Sequence, residues 1–323
     1  MNVLYIGKYP PIEGGTATAA YWRIKELRQR GIFFEVLTCL PINKDYVIEG
    51  FADEENLHIV KEKLPWHIPY SQLYAEQLIS LSIKLFEFKN FDVVEGCYLF
   101  PYGFAAYVVS KLFNRPLILR HAGSDLYRLA KGSALTAVLT KMLDAASVLV
   151  TYKECLKTWS DFNVESKFQI TSRYTPNPVI FKSEGEHTQT TFLGKITEKW
   201  NRRQFDYYYD FLTKCNYQGA IRIYSNNYTV EEFSAYFQSK GYDVIKNSFV
   251  APDKVPQILQ DTKYLLVSEV PNGIKESSNC FVEAISAGCV PVCIDKKIKF
   301  DINFDFENYI SEQWNIYMRA LRN

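Results

Sequence analysis

The connection Lys8-Tyr-Pro-Pro-Ile-Glu-Gly14-Gly15-Thr16 joins a short apolar run to a helical pattern, and its two glycines stand where that helix begins. The free N–H groups and the dipole of a helix start favour an anion there. The plainer reading is a loop whose glycines serve turn geometry alone. The spacing is not G-x-G-x-x-G, and no acidic residue closes the next strand as a dinucleotide site would require. His121, one of four histidines, follows an apolar run, which sets it at the end of a strand. Lys195, Lys199, Arg202 and Arg203 form a basic run, readable as a solvated helix face or as fixed positive charge for an anion. Glu283 stands on a helical pattern that closes at Gly288, and its plain reading is an exposed surface carboxylate. No His/Cys cluster has zinc spacing, and neither G-x-S-x-G nor G-x-x-x-x-G-K-[ST] occurs.

The elements that must position these residues alternate between apolar runs and helical patterns, the signature of βαβ units and a parallel sheet. Strands are expected at Val3–Gly7, Phe34–Cys39, Val93–Gly96, Pro116–His121 and Val148–Thr151. Helices are expected at Ala19–Gln29, closed by Gly31, and at Ser133–Ala146. Ser172–Gln189 breaks the rhythm with Pro176, Pro178, Gly185 and no period, as a linker does. The alternation resumes with strands at Thr191–Ile196, Ile221–Ser225, Tyr264–Ser268 and Pro291–Ile294. Between these come helices at Val230–Lys240, Pro252–Gln260 and Asn279–Ala287, and Asn308–Arg322 ends the chain as a last helix. The expected organisation is a first α/β domain over 1–172, a linker over 173–189, a second α/β domain over 190–305, and a terminal helix within 306–323 able to cross back to the first. Two such sheets leave a cleft between them, with ligands beyond the carboxyl ends of the strands.

A length of 323 residues suits two domains, and a hydrophobic share of 47% suits well-filled cores. The net charge of +1 supplies no overall field for nucleic acid or an anionic membrane, which argues against a nucleic-acid partner. Met1–Gly7 reads as a buried strand and not as a targeting signal, and no apolar run approaches the length of a membrane span. The seven cysteines are scattered and contain no C-x-x-C pair, so reduced thiols and a cytoplasmic location are expected. Lys84, Lys89, Lys111 and Arg115 read first as ordinary surface charges, with peripheral contact to the inner face of a membrane as the other reading.

Several segments, taken in order, carry a resemblance. Tyr9-Pro-Pro-x-x-Gly-Gly, followed by a helix and Phe34-Glu-Val-Leu-Thr, resembles the opening of GT-B glycosyltransferases of the family-4 type. Phe91-Asp-Val-Val-Glu95, Leu99–Ala106 and Arg115–Leu119 resemble that family's third strand-helix-strand unit, and His121-Ala-Gly-Ser-Asp125 its His-Gly-Ser-Asp turn. Thr175-Pro-Asn-Pro178 and Phe192-Leu-Gly-Lys195 resemble the passage into its second domain. Phe281-Val-Glu-Ala-Ile-Ser-Ala-Gly288-Cys-Val-Pro291-Val292 resembles its donor-site helix.

The resemblance implies an α/β chain of two Rossmann-like domains facing across a cleft. It implies a retaining, metal-independent hexosyl- or pentosyltransferase that moves a sugar from a nucleotide-diphosphate sugar to a hydroxyl acceptor, which could be a glycan, a lipid-linked sugar or a small molecule. No cofactor besides the donor substrate is implied. Gly14 and Gly15 would let the backbone approach the pyrophosphate, and His121 would lie beside the reacting sugar, with Asp125 either orienting it or capping the turn. Lys195, with one of Lys199, Arg202 or Arg203, would face the diphosphate; a lysine in place of the usual arginine gives a point charge and not a fork. Glu283 would accept both ribose hydroxyls, a task suited to an acceptor-only group, with Asn279 beside the donor. The family's first acidic position falls on Lys275, with Glu276 one residue too close, and its glycine-aromatic-glycine portion is Ser277-Ser278-Asn279. Either Glu276 still reaches the donor sugar or Lys275 replaces it, in keeping with a sugar that carries a carboxylate. No DxD occurs, so a metal-bridged donor is not expected. The alternatives are a nucleotide-sugar epimerase or hydrolase of the same fold, a catalytically silent nucleotide-sugar binder, and a transferase acting on modified nucleic acid.

Overall fold

In the first strand Leu4 and Ile6 enter one apolar layer and Val3 and Tyr5 the other, all fully buried. A strand apolar on both faces belongs inside a parallel sheet covered on both sides. The structure, a computed structural model, has that arrangement. It describes residues 1–41, 47–51, 56–64, 71–123, 125–126, 133–160, 162–171, 188–193, 202–226, 229–267, 279–294 and 305–322.

The first sheet contains β1 (Asn2–Gly7), β2 (Phe33–Pro41), β3 (Leu57–Leu64), β4 (Val93–Cys97), β5 (Leu117–Arg120), β6 (Val148–Thr151) and β7 (Phe168–Ile170). Their order is β3-β2-β1-β4-β5-β6-β7, every pairing parallel. Helices α1 (Gly15–Gln29), α2 (Ser71–Phe88), α3 (Phe104–Leu112), α4 (Ser133–Ala145) and α5 (Leu156–Trp159) complete this half, with a π-helical turn at Leu99–Gly103 ahead of α3. Leu78, Val109 and Met142 place α2, α3 and α4 on one face, while Trp22, Ile24 and Leu27 place α1 on the other.

The second sheet contains β8 (Gln189–Leu193), β9 (Ile221–Tyr224), β10 (Val244–Asn247), β11 (Thr262–Leu266) and β12 (Val290–Val292), in the parallel order β10-β9-β8-β11-β12. On one face lie α6 (Arg202–Lys214) and α7 (Thr229–Ser239); on the other lie α8 (Val255–Gln260) and α9 (Asn279–Ser286). The last helix, α10 (Phe306–Arg322), packs on the first sheet beside α1, through Tyr309, Ile310, Ile316 and Tyr317. Arg319 donates to the carbonyls of Phe168 at 2.8 Å and Ser166 at 2.7 Å, which fixes the end of α10 beside β7.

The differences from the expected elements have physical causes. α1 begins at Gly15 and not at Ala19, because Gly-Thr-Ala-Thr offers little hydrophobic period to read. The segment expected at Pro252–Gln260 divides into a 3-10 turn and α8, where Pro256 removes a helix donor. β3 and β10 are sheet edges that carry charge, and the apolar residues of α2 run round much of its circumference, so none of the three shows a clean period. The expected linker falls largely on residues 172–187, outside the described residues, and β8 begins at Gln189.

Each sheet reverses its strand order once, between β1 and β4 in the first and between β8 and β11 in the second. Such switch points open a crevice at the carboxyl ends of the strands. Those edges approach one another: Asn226, after β9, donates to the carbonyl of Val47, after β2, at 3.4 Å, and α1 touches the Pro252–Lys254 turn after β10. Among the described residues no helix is long and apolar enough to cross a membrane.

Candidate functional site

Gly14 caps α1 with φ 130° and ψ 157°, a conformation open essentially to glycine alone. The Thr18 N–H reaches the Gly14 carbonyl at 3.0 Å, which closes the first turn, and no acidic side chain stands in that turn to oppose an anion. A side chain built on Gly15 would meet nothing within 4 Å, so the space over this helix start is open.

His121 begins the turn after β5 and is 1% exposed. The Gly123 N–H donates to Nδ1 at 3.1 Å, so the ring proton sits on Nε2, which donates to Thr151 Oγ1 at 3.0 Å. Thr151 Oγ1 also accepts from Trp159 Nε1 at 2.8 Å. Tyr152 and Trp159 stand edge-on to the imidazole at 4.9 Å and 5.4 Å, and the Tyr152 hydroxyl donates to the His121 carbonyl at 3.0 Å. Both ring nitrogens are thus engaged inside the protein. Asp125 does not hold the ring. Its carboxylate accepts from Ala122 N at 2.8 Å and Leu99 N at 2.7 Å, so it caps the turn and fastens it to the π-helical turn. Burial raises the proton affinity of Asp125, and those N–H donors offset only part of the rise.

Beneath this turn lies a charged network. Glu95 of β4, fully buried, accepts from Arg23 Nη2 of α1 at 2.8 Å and from Arg120 Nε of β5 at 2.6 Å, and the Tyr317 hydroxyl of α10 donates to it. Burial opposes ionisation of Glu95, but the two guanidinium groups and the hydroxyl outweigh it and hold the carboxyl below its ordinary range. The network ties α1, β4, β5 and α10 together one residue before His121.

At the other switch point α9 follows β11, and Glu283 lies on it at 3% exposure. Ala284 and Ala287 pack this helix against Leu265 and Val267, which rules out an exposed surface carboxylate. Asn279 opens α9, Arg202 opens α6, and Arg203 is exposed. Lys195, Lys199, Lys275 and Glu276 lie outside the described residues. Lys84, Lys89 and Lys111 are exposed near the C-terminal ends of α2 and α3, at the edge of the sheet away from His121, and Lys89 is paired with Glu35.

Two residues at the first switch point carry no expectation from sequence. Lys8 follows β1 and Tyr98 follows β4, and the Lys8 ammonium lies 4.5 Å from the centre of the Tyr98 ring. Tyr98 has φ 79° and ψ 111°, a strain of about 1–3 kcal/mol for a side-chain-bearing residue. It is held there by Tyr98 N to the Arg120 carbonyl at 3.0 Å and by Gly103 N to the Tyr98 carbonyl at 2.9 Å. A lysine immediately after a central strand was the available signal; the backbone strain at Tyr98 leaves none in sequence.

No family model matches the sequence, and no curated protein matches it. Solved structures do match in shape. HepE from Anabaena, in complex with UDP and glucose, superposes with a TM-score of 0.55 at 14% identity over 100% of this chain and 95% of its own. The UDP-GlcNAc 2-epimerase from Methanocaldococcus jannaschii gives 0.58 at 12% identity, over 100% and 92%. An α-glucosyltransferase in complex with UDP and a 13-mer DNA containing a HMU base gives 0.54 at 11%, over 99% and 91%. At these identities the likeness is one of fold: two parallel α/β sheets across a cleft, the GT-B arrangement.

Proposed function

We propose that this chain moves a sugar, with retention, from a nucleotide-diphosphate sugar to a hydroxyl acceptor, without a metal ion. The observation that carries the reading is Glu283, a carboxylate 3% exposed on the helix that follows the second switch point. A group that accepts without donating, set in such a place, suits the paired hydroxyls of a ribose. Lys195 and one of Lys199, Arg202 or Arg203 would face the diphosphate, and fixed cations of this kind stabilise charge developing on the leaving nucleotide. Gly14 and Gly15 admit the pyrophosphate to the start of α1, and Asn279 lies beside the donor. Glu276, or Lys275 in its place, meets the donor sugar. His121 serves the first domain's face of the cleft as a fixed neutral ring. Closure expels water and protects the donor from hydrolysis, and the departing diphosphate takes the acceptor proton on the same face.

HepE and the α-glucosyltransferase are both seen with UDP, which makes uridine nucleotides the first donors to try. Thermal unfolding against UDP-, GDP-, dTDP-, ADP- and CMP-sugars tests the reading. A donor at about 100 times its dissociation constant adds about 2.7 kcal/mol of stability. Glu283→Ala is expected to remove about 1.5–3 kcal/mol of that binding, on the order of 10- to 150-fold in affinity. Equal stabilisation of variant and wild type would sink the assignment of Glu283, and no stabilisation by any donor would sink the transferase reading.

The likeness to a 2-epimerase keeps a second reading alive, in which the sugar is converted without an acceptor. Epimerisation must move a carbon-bound proton, and His121, engaged at both nitrogens, is not placed to do so. Product analysis separates the two: an epimerase converts UDP-sugar with no acceptor present, whereas a transferase requires one.

A further inference from the structure

At the end of the second sheet away from its crevice, three strands begin and two helices finish around a cavity of about 690 Å³. Sites for small molecules span about 300–1,000 Å³. Thr188 precedes β8, Lys263 and Tyr264 lie at the start of β11, and Val290 begins β12. Cys215 and Gly288 follow the ends of α6 and α9. Tyr217 and Tyr264, each 8% exposed, form an aromatic wall, edge-on to one another at 6.0 Å. The Tyr217 hydroxyl donates to the Ala220 carbonyl at 2.8 Å and accepts from Thr190 N at 2.8 Å, and Tyr242 stacks on its ring. Phe211 backs Tyr264 at 5.2 Å. The wall is therefore fixed before any ligand arrives, which lowers the cost of binding one.

The polar lining is exposed and only partly spent. Gln218 Nε2 donates to Asn216 Oδ1 at 3.3 Å, which leaves the Gln218 oxygen, the Asn216 amide N–H groups and the Thr188 hydroxyl without a partner among the described residues. The Lys263 ammonium, 5.3 Å from the centre of the Tyr264 ring, has no carboxylate partner there. No carboxylate lines the cavity among the described residues, and the carbonyl ends of α6 and α9 offset the single lysine. Donors and acceptors beside fixed rings and the exposed Val290 match a molecule with hydroxyls along its edge and C–H groups on its face.

We propose that this cavity is a second saccharide site, away from the cleft, in which Thr188, Asn216, Gln218 and Lys263 take the hydroxyls of a neutral sugar and Tyr217, Tyr264 and Val290 its C–H face. A sugar acid or sugar phosphate would set its charge against two helix carbonyl ends with one lysine to oppose them. The site belongs to the second domain alone and does not rest on the transferase reading.

Saturation-transfer NMR on the full chain, with methyl glycosides of glucose, galactose, mannose and N-acetylglucosamine, reads binding. Methyl glucuronide and glucose 6-phosphate serve as the anionic comparison. Alkylation of Cys215 by N-ethylmaleimide, followed by peptide mass spectrometry, reads where the sugar sits, because this thiol is exposed in the cavity lining. At least one neutral glycoside is expected to bind about threefold or more tighter than either anionic probe, and to slow alkylation of Cys215 to a similar degree at saturation. Gln218→Ala is expected to weaken that glycoside by about 2- to 12-fold. Thr188→Trp fills the mouth from an exposed position, and is expected to abolish binding while its urea midpoint stays that of wild type. No binding of any neutral glycoside, a preference for the anionic probes, binding that leaves Cys215 unprotected, or unchanged binding in either variant would each overturn the site. Sugar-dependent protection of Cys215 in a protein that no nucleotide sugar stabilises would uphold the second site and remove only the transferase reading.

Discussion

At Gly14 the backbone occupies a region that side chains exclude, whereas Gly15 beside it has an ordinary backbone and open space where a Cβ would stand. The two therefore answer to different demands, which substitution can separate. Gly14→Ala is expected to cost about 1–3 kcal/mol through backbone strain alone, measured by urea unfolding without ligand. Gly15→Ala is expected to leave that stability within about 0.5 kcal/mol. It should weaken nucleotide-sugar binding instead, because the methyl group enters the space a pyrophosphate would use. Equal loss of stability in both variants would mean that the pair serves the turn only, the plainer of the two readings open in the sequence. The same scale shows where residue type misleads. His121 invites a catalytic role by its chemistry, yet its ring is spent on Gly123 and Thr151, and only the packing of Trp159 and Tyr152 around it makes that visible.

Among the elements, α1, β4, β5 and α10 meet at one buried carboxylate. Glu95→Gln would leave the Arg23 and Arg120 guanidinium groups buried together without their counter-charge, at an expected cost of about 3–5 kcal/mol. The sign with pH follows from the lowered affinity of Glu95 for its proton. The network's stabilisation is complete above the ordinary glutamate range and is lost as pH falls through the depressed value. Unfolding free energy should therefore hold level from about pH 6 to 8 on this account and decline below about pH 4; the same decline, undiminished, in Glu95→Gln would assign it to other carboxylates. Legibility divides along these lines too. β1, β4, β6 and α4 could be read from sequence because strands and helices buried against a core show their apolar runs whole. The signal for Glu95 was present as well, a lone acid within Val-Val-Glu-Gly-Cys, but its partners come from Arg23, Arg120 and Tyr317, and no local pattern joins positions so far apart. At the second site the helix of Glu283 was legible from its small residues and closing glycine, while its burial depends on β11 and α8 packing around it.

Over the whole molecule, the layer on one face of the first sheet is built from both ends of the chain. Val3, Tyr5, Phe34 and Val36 belong to its opening strands, and Tyr309, Ile310, Ile316 and Tyr317 to its last helix, all at 6% exposure or less. Burying the four side chains of α10 is worth roughly 6–12 kcal/mol, at about 1.5–3 kcal/mol each. A whole domain holds only about 5–15 kcal/mol of net stability, so loss of this helix could remove most of it. A fragment of residues 1–171 is therefore expected not to fold as a cooperative unit, although it contains every strand of the first sheet. Joining residues 306–322 to it through a flexible linker should restore a cooperative transition, and Tyr317→Phe in that fusion should weaken it by about 1–3 kcal/mol by removing the hydroxyl from Glu95. Urea unfolding followed by circular dichroism reads all three. If the bare fragment unfolds cooperatively with the stability of the fusion, α10 adds nothing to the first core. If it does not, α10 is an integral part of that core, and the Glu95 network behind His121 depends on it.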